Sequence, residues 1–213
     1  MTEAEWLAFD NPVPMLEFLK GKANSRKMRL FACACCRRLW HRLTDERSRK
    51  AVEAAERYAD GLIPHAELKR AWTEASEAYH WASEGAAAQV AMKAANPSRS
   101  GIAEDVSLFA RVADSAWRTK PPERTAQATL LRELLGNPFR PVAFAPSWLA
   151  WSGACVVKLA RAIYEEHRFE DLPILADALE EAGCDNADIL SHLRDLGPHV
   201  RGCWVVDAIL GKK

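Results

Sequence analysis

Hydrophobic residues recur along this chain every three or four positions, the spacing that places them on one face of an α-helix. After Ser25, one apolar stripe runs through Met28, Phe31, Cys35 and Leu39. A second stripe beside it consists of Cys33, Cys36, Trp40 and Leu43. A helix that is apolar over most of its circumference is expected at the centre of a domain. The alternation of apolar and polar residues that is typical of β-strands does not continue long enough anywhere to suggest a sheet. The pattern therefore predicts an all-α fold around a buried central helix.

The helix signals continue to the C-terminus and predict about nine to ten helices in one compact domain spanning residues 1–213. An alanine-rich stretch at 64–95 is typical of one long helix. Residues 96–101 interrupt the pattern with asparagine, proline and glycine, and they mark a candidate boundary between two halves. Residues 136–141 contain two prolines, so we expect an irregular link there.

The composition is that of an ordinary globular protein, with 49% hydrophobic and 27% charged residues. No apolar run approaches the ~20 residues that cross a bilayer, so no membrane partner is expected. The first residues lack the pattern of a secretory signal, which predicts a cytoplasmic protein. In a reducing cytoplasm, the six cysteines are expected to be thiols or metal ligands.

The net charge of zero hides a segregation of charge. Residues 20–50 contain eleven Lys and Arg against two acids, a local charge of +9. Such a segment either binds an acidic partner, including nucleic acid, or is neutralised inside the fold by the rest of the chain. The candidate binding residues are Arg26, Lys27, Arg37, Arg38 and Arg42.

Four segments carry a resemblance beyond helical periodicity. They are FACACCRRLWH at 31–41, AVEAAERYADG at 51–61, GNPFRP at 136–141 and GPHVRGCWVVD at 197–207. Together they resemble a multi-copy helical protein family of planctomycete bacteria of the Gemmata type, over nearly the whole chain. Residues 172–183 loosely resemble the repeat-companion domain of such bacteria. The resemblance implies a helical domain in a bacterial cytoplasm and points to no catalytic residue.

Cysteine and histidine occur together near the C-terminus, where Cys184, His192, His199 and Cys203 offer the side chains that bind zinc. Their spacing matches no standard zinc finger, so either they converge in space or the cysteines are small apolar core residues. A Cys-x-x-Cys pair at Cys33 and Cys36 has no second pair to complete a site. The sequence therefore predicts no cofactor, with zinc at these residues as the alternative.

Catalytic motifs are few. Arg194 and His199 resemble the Arg-polar-x-x-x-His signature of the helical HEPN ribonucleases, which implies phosphate binding by the arginine and proton transfer by the histidine. Gly197 and Pro198 lie inside the motif, where that family has a helix. The chain has no phosphate-binding glycine loop and no nucleophile elbow.

Aromatic residues concentrate around the irregular link at 136–141. Phe139, Arg140, Trp148 and Trp151 could form an exposed recognition surface, or the segment could lie flat over the core. The leading interpretation is a non-enzymatic helical interaction or regulatory module whose partner is another protein. The alternatives are a nucleic-acid-binding protein that uses the basic segment, a HEPN-like ribonuclease and a small zinc-binding protein.

Overall fold

The computed structural model describes residues 1–81, 85–98 and 122–212, and between these last two ranges only Ile102, Ala103, Asp105 and Ser107. The described residues contain eleven α-helices and no strand, which confirms the all-α prediction. The helices are α1 (Glu3–Ala8), α2 (Pro12–Leu19), α3 (Ser25–Arg38), α4 (Glu46–Ala59), α5 (His65–Trp81), α6 (Ala86–Ala94), α7 (Glu123–Leu135), α8 (Pro146–Glu166), α9 (Leu172–Glu181), α10 (Ala187–Arg194) and α11 (Trp204–Ile209). Among the described residues, none of these helices has the length and apolar character needed to span a membrane.

The chain divides into two compact units, Met1–Leu131 and Arg132–Lys213. The division falls within α7, whose last turn belongs to the second unit. The candidate boundary at 96–101 lies partly outside the described residues.

Helix α3 is the buried centre of the first unit, as its two apolar stripes predict. Cys33, Cys35 and Cys36 are all at most 1% exposed, and α4 and α6 pack against this helix. The helix begins with a side-chain cap from Asn24, whose Oδ1 accepts a hydrogen bond from the Lys27 amide at 2.8 Å. A side-chain acceptor at this position satisfies one of the amides that the first turn leaves without a helical partner.

Residues 64–95 contain two helices where one long helix was expected. Helix α5 ends at Trp81, and α6 begins at Ala86 after Gly85, whose φ is 49°. Residues 82–84 lie outside the described residues. A positive φ is accessible to glycine at little cost, and it ends a right-handed helix whatever the alanine content on either side.

The second unit has a core formed by α8, α9, α10 and α11, with α8 contacting both α9 and α11. Helix α8 is interrupted at residues 151–154, where Ser152, Gly153 and Ala154 have φ between 47° and 68°. Each non-glycine residue in this left-handed conformation costs about 1–2 kcal/mol. Trp151 is the first residue of this break and Trp148 lies one turn before it, and both side chains are partly buried against the core.

Candidate metal centre

Four side chains of the second unit meet at one point: Glu133, His192, His199 and Cys203. Each offers one ligand atom, and these four atoms all lie within 4.8 Å of one another. No other group of three or more such side chains occurs in the described part of the chain. Three of these residues, His192, His199 and Cys203, belong to the set that the sequence predicts. The structure adds Glu133, and it places Cys184, the fourth residue of the predicted set, outside the group.

Glu133 lies in the last turn of α7 and is 5% exposed. It follows Ala126 and Leu130 at helical spacing, and both of those residues are also buried. A charged residue on the buried stripe of a helix is unusual unless a partner compensates it. This position in the stripe is the sequence signal that could have identified Glu133, but it does not say what the partner is.

His192 is placed by the short helix α10. The helix begins at Asn186, whose side chain accepts hydrogen bonds from the amides of Asp188 and Ile189. Its apolar face, which includes Ile189 and Leu193, is buried in the core of the unit. These contacts fix the helix, so the imidazole in its last turn has a defined position.

His199 and Cys203 belong to the link at residues 195–203, which joins α10 to α11. The link is held by turns, one of which is closed by the Cys203 amide donating to the Val200 carbonyl at 3.0 Å. Cys203 is the N-cap residue of α11. The backbone immediately before α11 therefore sets the positions of both His199 and Cys203.

Three of the six distances between the ligand atoms are close to those of a tetrahedral metal site. His192 Nε2 lies 3.2 Å from Cys203 Sγ and 3.2 Å from Glu133 Oε2. His199 Nδ1 lies 3.1 Å from the same Glu133 oxygen. In a tetrahedral zinc site with bonds of about 2.0–2.3 Å, neighbouring ligand atoms are about 3.3–3.6 Å apart. These three distances are slightly shorter than that spacing, and the four ligand atoms as a group lie within 4.8 Å of one another, so the atoms must shift to surround an ion.

Hydrogen bonds outside the cluster orient its members. His199 Nε2 lies 3.0 Å from the Asp195 carbonyl oxygen, which only accepts, so this nitrogen carries the proton and donates. The other oxygen of Glu133, Oε1, accepts from the Val200 amide at 3.3 Å. Metal-binding histidines usually donate their second ring nitrogen to a carbonyl or carboxylate in this way.

The arrangement needs either protons or a cation at its centre. His199 Nδ1 faces the Glu133 carboxylate, and a deprotonated nitrogen would be a second acceptor pointing at an acceptor. His192 Nε2 faces both that carboxylate and the sulfur of Cys203. A metal ion bound at the centre would replace protons between groups that are already held in place.

The pKa values of the cluster reflect its burial. Burial lowers the pKa of His192, and the charge of Glu133 offsets this only in part. Burial is also the largest single influence on His199 and lowers its pKa, but the hydrogen bond to Glu133, the charge of Glu133 and the contacts with Asp195 together outweigh burial and raise this pKa. Burial, together with Glu133, raises the pKa of Cys203 well above its ordinary range. Without a metal ion, Cys203 is therefore a neutral thiol.

A cysteine–histidine catalytic pair is a poor description of this geometry. In such a pair, one ring nitrogen contacts the nucleophile and the other contacts an orienting group. Here the same nitrogen of His192 faces both the sulfur and the carboxylate. Cys203 is also 0% exposed, and its raised pKa disfavours the thiolate that would attack a substrate.

The residues of the HEPN-like motif have separate partners. Arg194 Nη2 binds Asp177 Oδ1 at 2.8 Å and Glu180 Oε2 at 2.6 Å. The two ring nitrogens of His199 contact Glu133 and Asp195. The arginine is thus held by carboxylates of α9, while the histidine belongs to the metal-ligand cluster.

The cysteines of α3 are packed as core residues. Burial raises the pKa values of Cys35 and Cys36 well above their ordinary range. The sulfur of Cys33 lies 3.9 Å from the Val52 carbonyl oxygen, at the distance of a weak hydrogen bond. Cys184 is also buried, and burial raises its pKa.

Three of the five basic candidates are ion-paired within the first unit. The pairs are Arg26–Asp60 at 2.9 Å, Arg37–Glu56 at 2.6 Å and Arg38–Glu123 at 2.9 Å. Lys27 is 8% exposed, and Arg42 is exposed with its Nε 3.1 Å from His41 Nε2. All three acidic partners lie outside residues 20–50, so part of the local positive charge is neutralised within the fold.

The aromatic candidates divide by exposure. Trp148 and Trp151 are partly buried against the core of the second unit, together with Phe144. Phe139 is 37% exposed, and Arg140 is exposed beside it. The tryptophans therefore contribute to packing, while the tip of the link faces solvent.

Comparisons with protein families, curated protein sequences and solved structures found no match to this chain.

Proposed function

We propose that this protein binds one Zn²⁺ ion through Glu133, His192, His199 and Cys203, and that the ion has a structural role in the C-terminal unit. The observation that carries the proposal is the convergence of the four ligand atoms within 4.8 Å. They come from the end of α7, the end of α10 and the link before α11. One ion would therefore join the end of α7 to residues 192–203, which follow it by about sixty residues.

The charge of the ligand set supports a divalent cation. With Cys203 as thiolate and Glu133 as carboxylate, the set carries two negative charges, and the two imidazoles are neutral ligands. One divalent ion makes the site neutral, which matters because a net charge inside a protein costs several kcal/mol. One sulfur, two nitrogens and one oxygen suit zinc better than Mg²⁺ or Ca²⁺, which prefer oxygen ligands.

The closure of the site supports a structural rather than a catalytic ion. Catalytic zinc sites keep an open position for water or substrate, whereas structural sites have four protein ligands. The side chains of His192, His199 and Glu133 are 17%, 9% and 5% exposed. Glu133 acts here as a ligand rather than as a base beside a bound water, since its Oε2 lies at ligand distance from both imidazoles.

A structural zinc ion is compatible with a non-enzymatic helical module that binds another protein in a bacterial cytoplasm. In such a module, the metal would preserve the fold of the C-terminal unit. The ion pairs of Arg26, Arg37 and Arg38 make the nucleic-acid alternative less favourable, because these side chains already have carboxylate partners.

Cobalt substitution tests the proposal. We expect the metal-free protein to bind one equivalent of Co²⁺ and to develop the intense visible bands of tetrahedral cobalt with a near-ultraviolet sulfur-to-cobalt charge-transfer band. The reason is that two imidazole nitrogens, one carboxylate oxygen and one thiolate sulfur form a four-ligand set of the kind that binds such ions tetrahedrally. The control is addition of Zn²⁺, which should abolish these bands by displacing the cobalt. Weak bands of six-coordinate cobalt without charge transfer would refute the assignment.

A further inference from the structure

A tryptophan ring lies directly against one of the four ligands. The indole of Trp204, the residue after Cys203, has its centroid 5.2 Å from that of His192, with the ring planes at 51°. The imidazole of His199 contacts His192 on an edge, also at 5.2 Å. His192 therefore contacts both a second ligand and an aromatic ring that has no ligand atom of its own.

The position of the Trp204 ring depends on Gly136. A Cβ atom at Gly136 would lie 3.0 Å from Cδ2 and 3.1 Å from Cγ of Trp204, which is closer than normal contact. Gly136 also has a φ of +64°, a conformation that residues with a side chain rarely adopt. The backbone after α7 thus supports one side of the indole, and the indole contacts His192.

His192 is the ligand whose side chain is most exposed, at 17% against 9% for His199 and 5% for Glu133, while Cys203 is fully buried. Exchange of a buried ion begins with the ligand that water and a competing chelator can reach. The release rate of the ion therefore depends on how firmly His192 is held, and neighbours outside the ligand set typically change metal affinity by 10–100-fold.

From this arrangement we infer that Trp204, supported by Gly136, is the positioning residue that keeps His192 on the metal and slows metal exchange. The inference rests on the proposed zinc site and concerns its kinetics. Trp204 and Gly136 donate no ligand, so their effect must be indirect. Substitutions at these two residues should therefore change the rate of metal release and the spectrum of the bound ion more readily than they change the number of ions bound.

The test compares Gly136→Ala with Gly183→Ala in the full chain. Both glycines have positive φ, so each substitution introduces backbone strain, but a Cβ at Gly183 meets nothing within 4 Å. Zinc release is measured by stopped-flow transfer to a chromophoric chelator in excess. We expect Gly136→Ala to release zinc about tenfold faster than the natural chain. Gly183→Ala should leave the rate unchanged.

A second pair of variants removes the ring itself. Trp204→Ala should accelerate zinc release and shift the visible bands of the cobalt-substituted protein, because His192 loses its support. Val206→Ala, which removes buried apolar volume from the same helix, should change neither property. Equal release rates for Gly136→Ala and Gly183→Ala, or for Trp204→Ala and Val206→Ala, would overturn the inference and leave the zinc site standing. A natural chain that binds no zinc would refute the proposed function and this inference with it.

Discussion

Replacing Cys203 with alanine should abolish tight zinc binding, whereas the same replacement at Cys184 should leave it intact. The first change removes the only thiolate of the cluster and leaves one negative charge for a divalent ion. The buried site would then hold a net positive charge and a coordination position without a protein ligand. We expect the zinc affinity of Cys203→Ala to fall by more than about 100-fold, the upper range for residues outside the ligand set.

Cys184→Ala is the matched control for this experiment. Both cysteines are buried, at 2% and 0% exposure, so both substitutions remove a small apolar side chain from the core of the same unit. Cys184 nevertheless lies outside the group of four ligands. Competition with a chromophoric chelator at equilibrium measures the affinities. If both variants bound zinc with similar affinity, the effect of Cys203→Ala would reflect the loss of a buried core cysteine rather than the loss of a metal ligand.

Removal of the metal should destabilise the protein by several kcal/mol. An ion that binds only the folded state adds about 4 kcal/mol when its free concentration is 1,000 times the dissociation constant. For a unit of fewer than 100 residues, each kcal/mol corresponds to a change in Tm of about 4–8 °C. Calorimetry with and without a zinc chelator measures this effect. Zinc should restore the higher Tm, and magnesium should not.

The Cys203→Ala variant provides the control for the chelation experiment. Because this variant has lost the ion already, its melting temperature should not respond to the chelator. A natural chain that melts at the same temperature with and without chelator would contradict a structural role for the ion. A chelator effect of equal size in Cys203→Ala would place the responsible ion at another site.

The helical class of the fold was predictable because local signals agree with one another. The apolar stripes of α3 predicted a buried central helix, and residues 25–38 form one. The irregular link at 136–141 was predictable from its prolines. The break between α5 and α6 was not, because alanine favours a helix on both sides of Gly85 and one glycine in an alanine-rich run costs only about 1 kcal/mol.

The candidate site was only partly predictable, because one of its four ligands lies far from the other three along the chain. His192, His199 and Cys203 lie within twelve residues of sequence, so a common site could be considered from their types alone. Glu133 precedes them by about sixty residues, and its contact with them depends on how α7 packs within the second unit. Periodicity can place Glu133 on a buried stripe, but it cannot state which side chains lie opposite.

X-ray absorption at the zinc edge of the zinc-loaded protein tests the central claim most directly. Its fine structure counts the ligand atoms by element and distance in the intact chain. The coordination described here predicts one sulfur at about 2.3 Å and three nitrogen or oxygen atoms at about 2.0–2.2 Å, with two imidazoles in the outer-shell scattering. A first shell without sulfur, or one of six oxygen or nitrogen atoms, would contradict it.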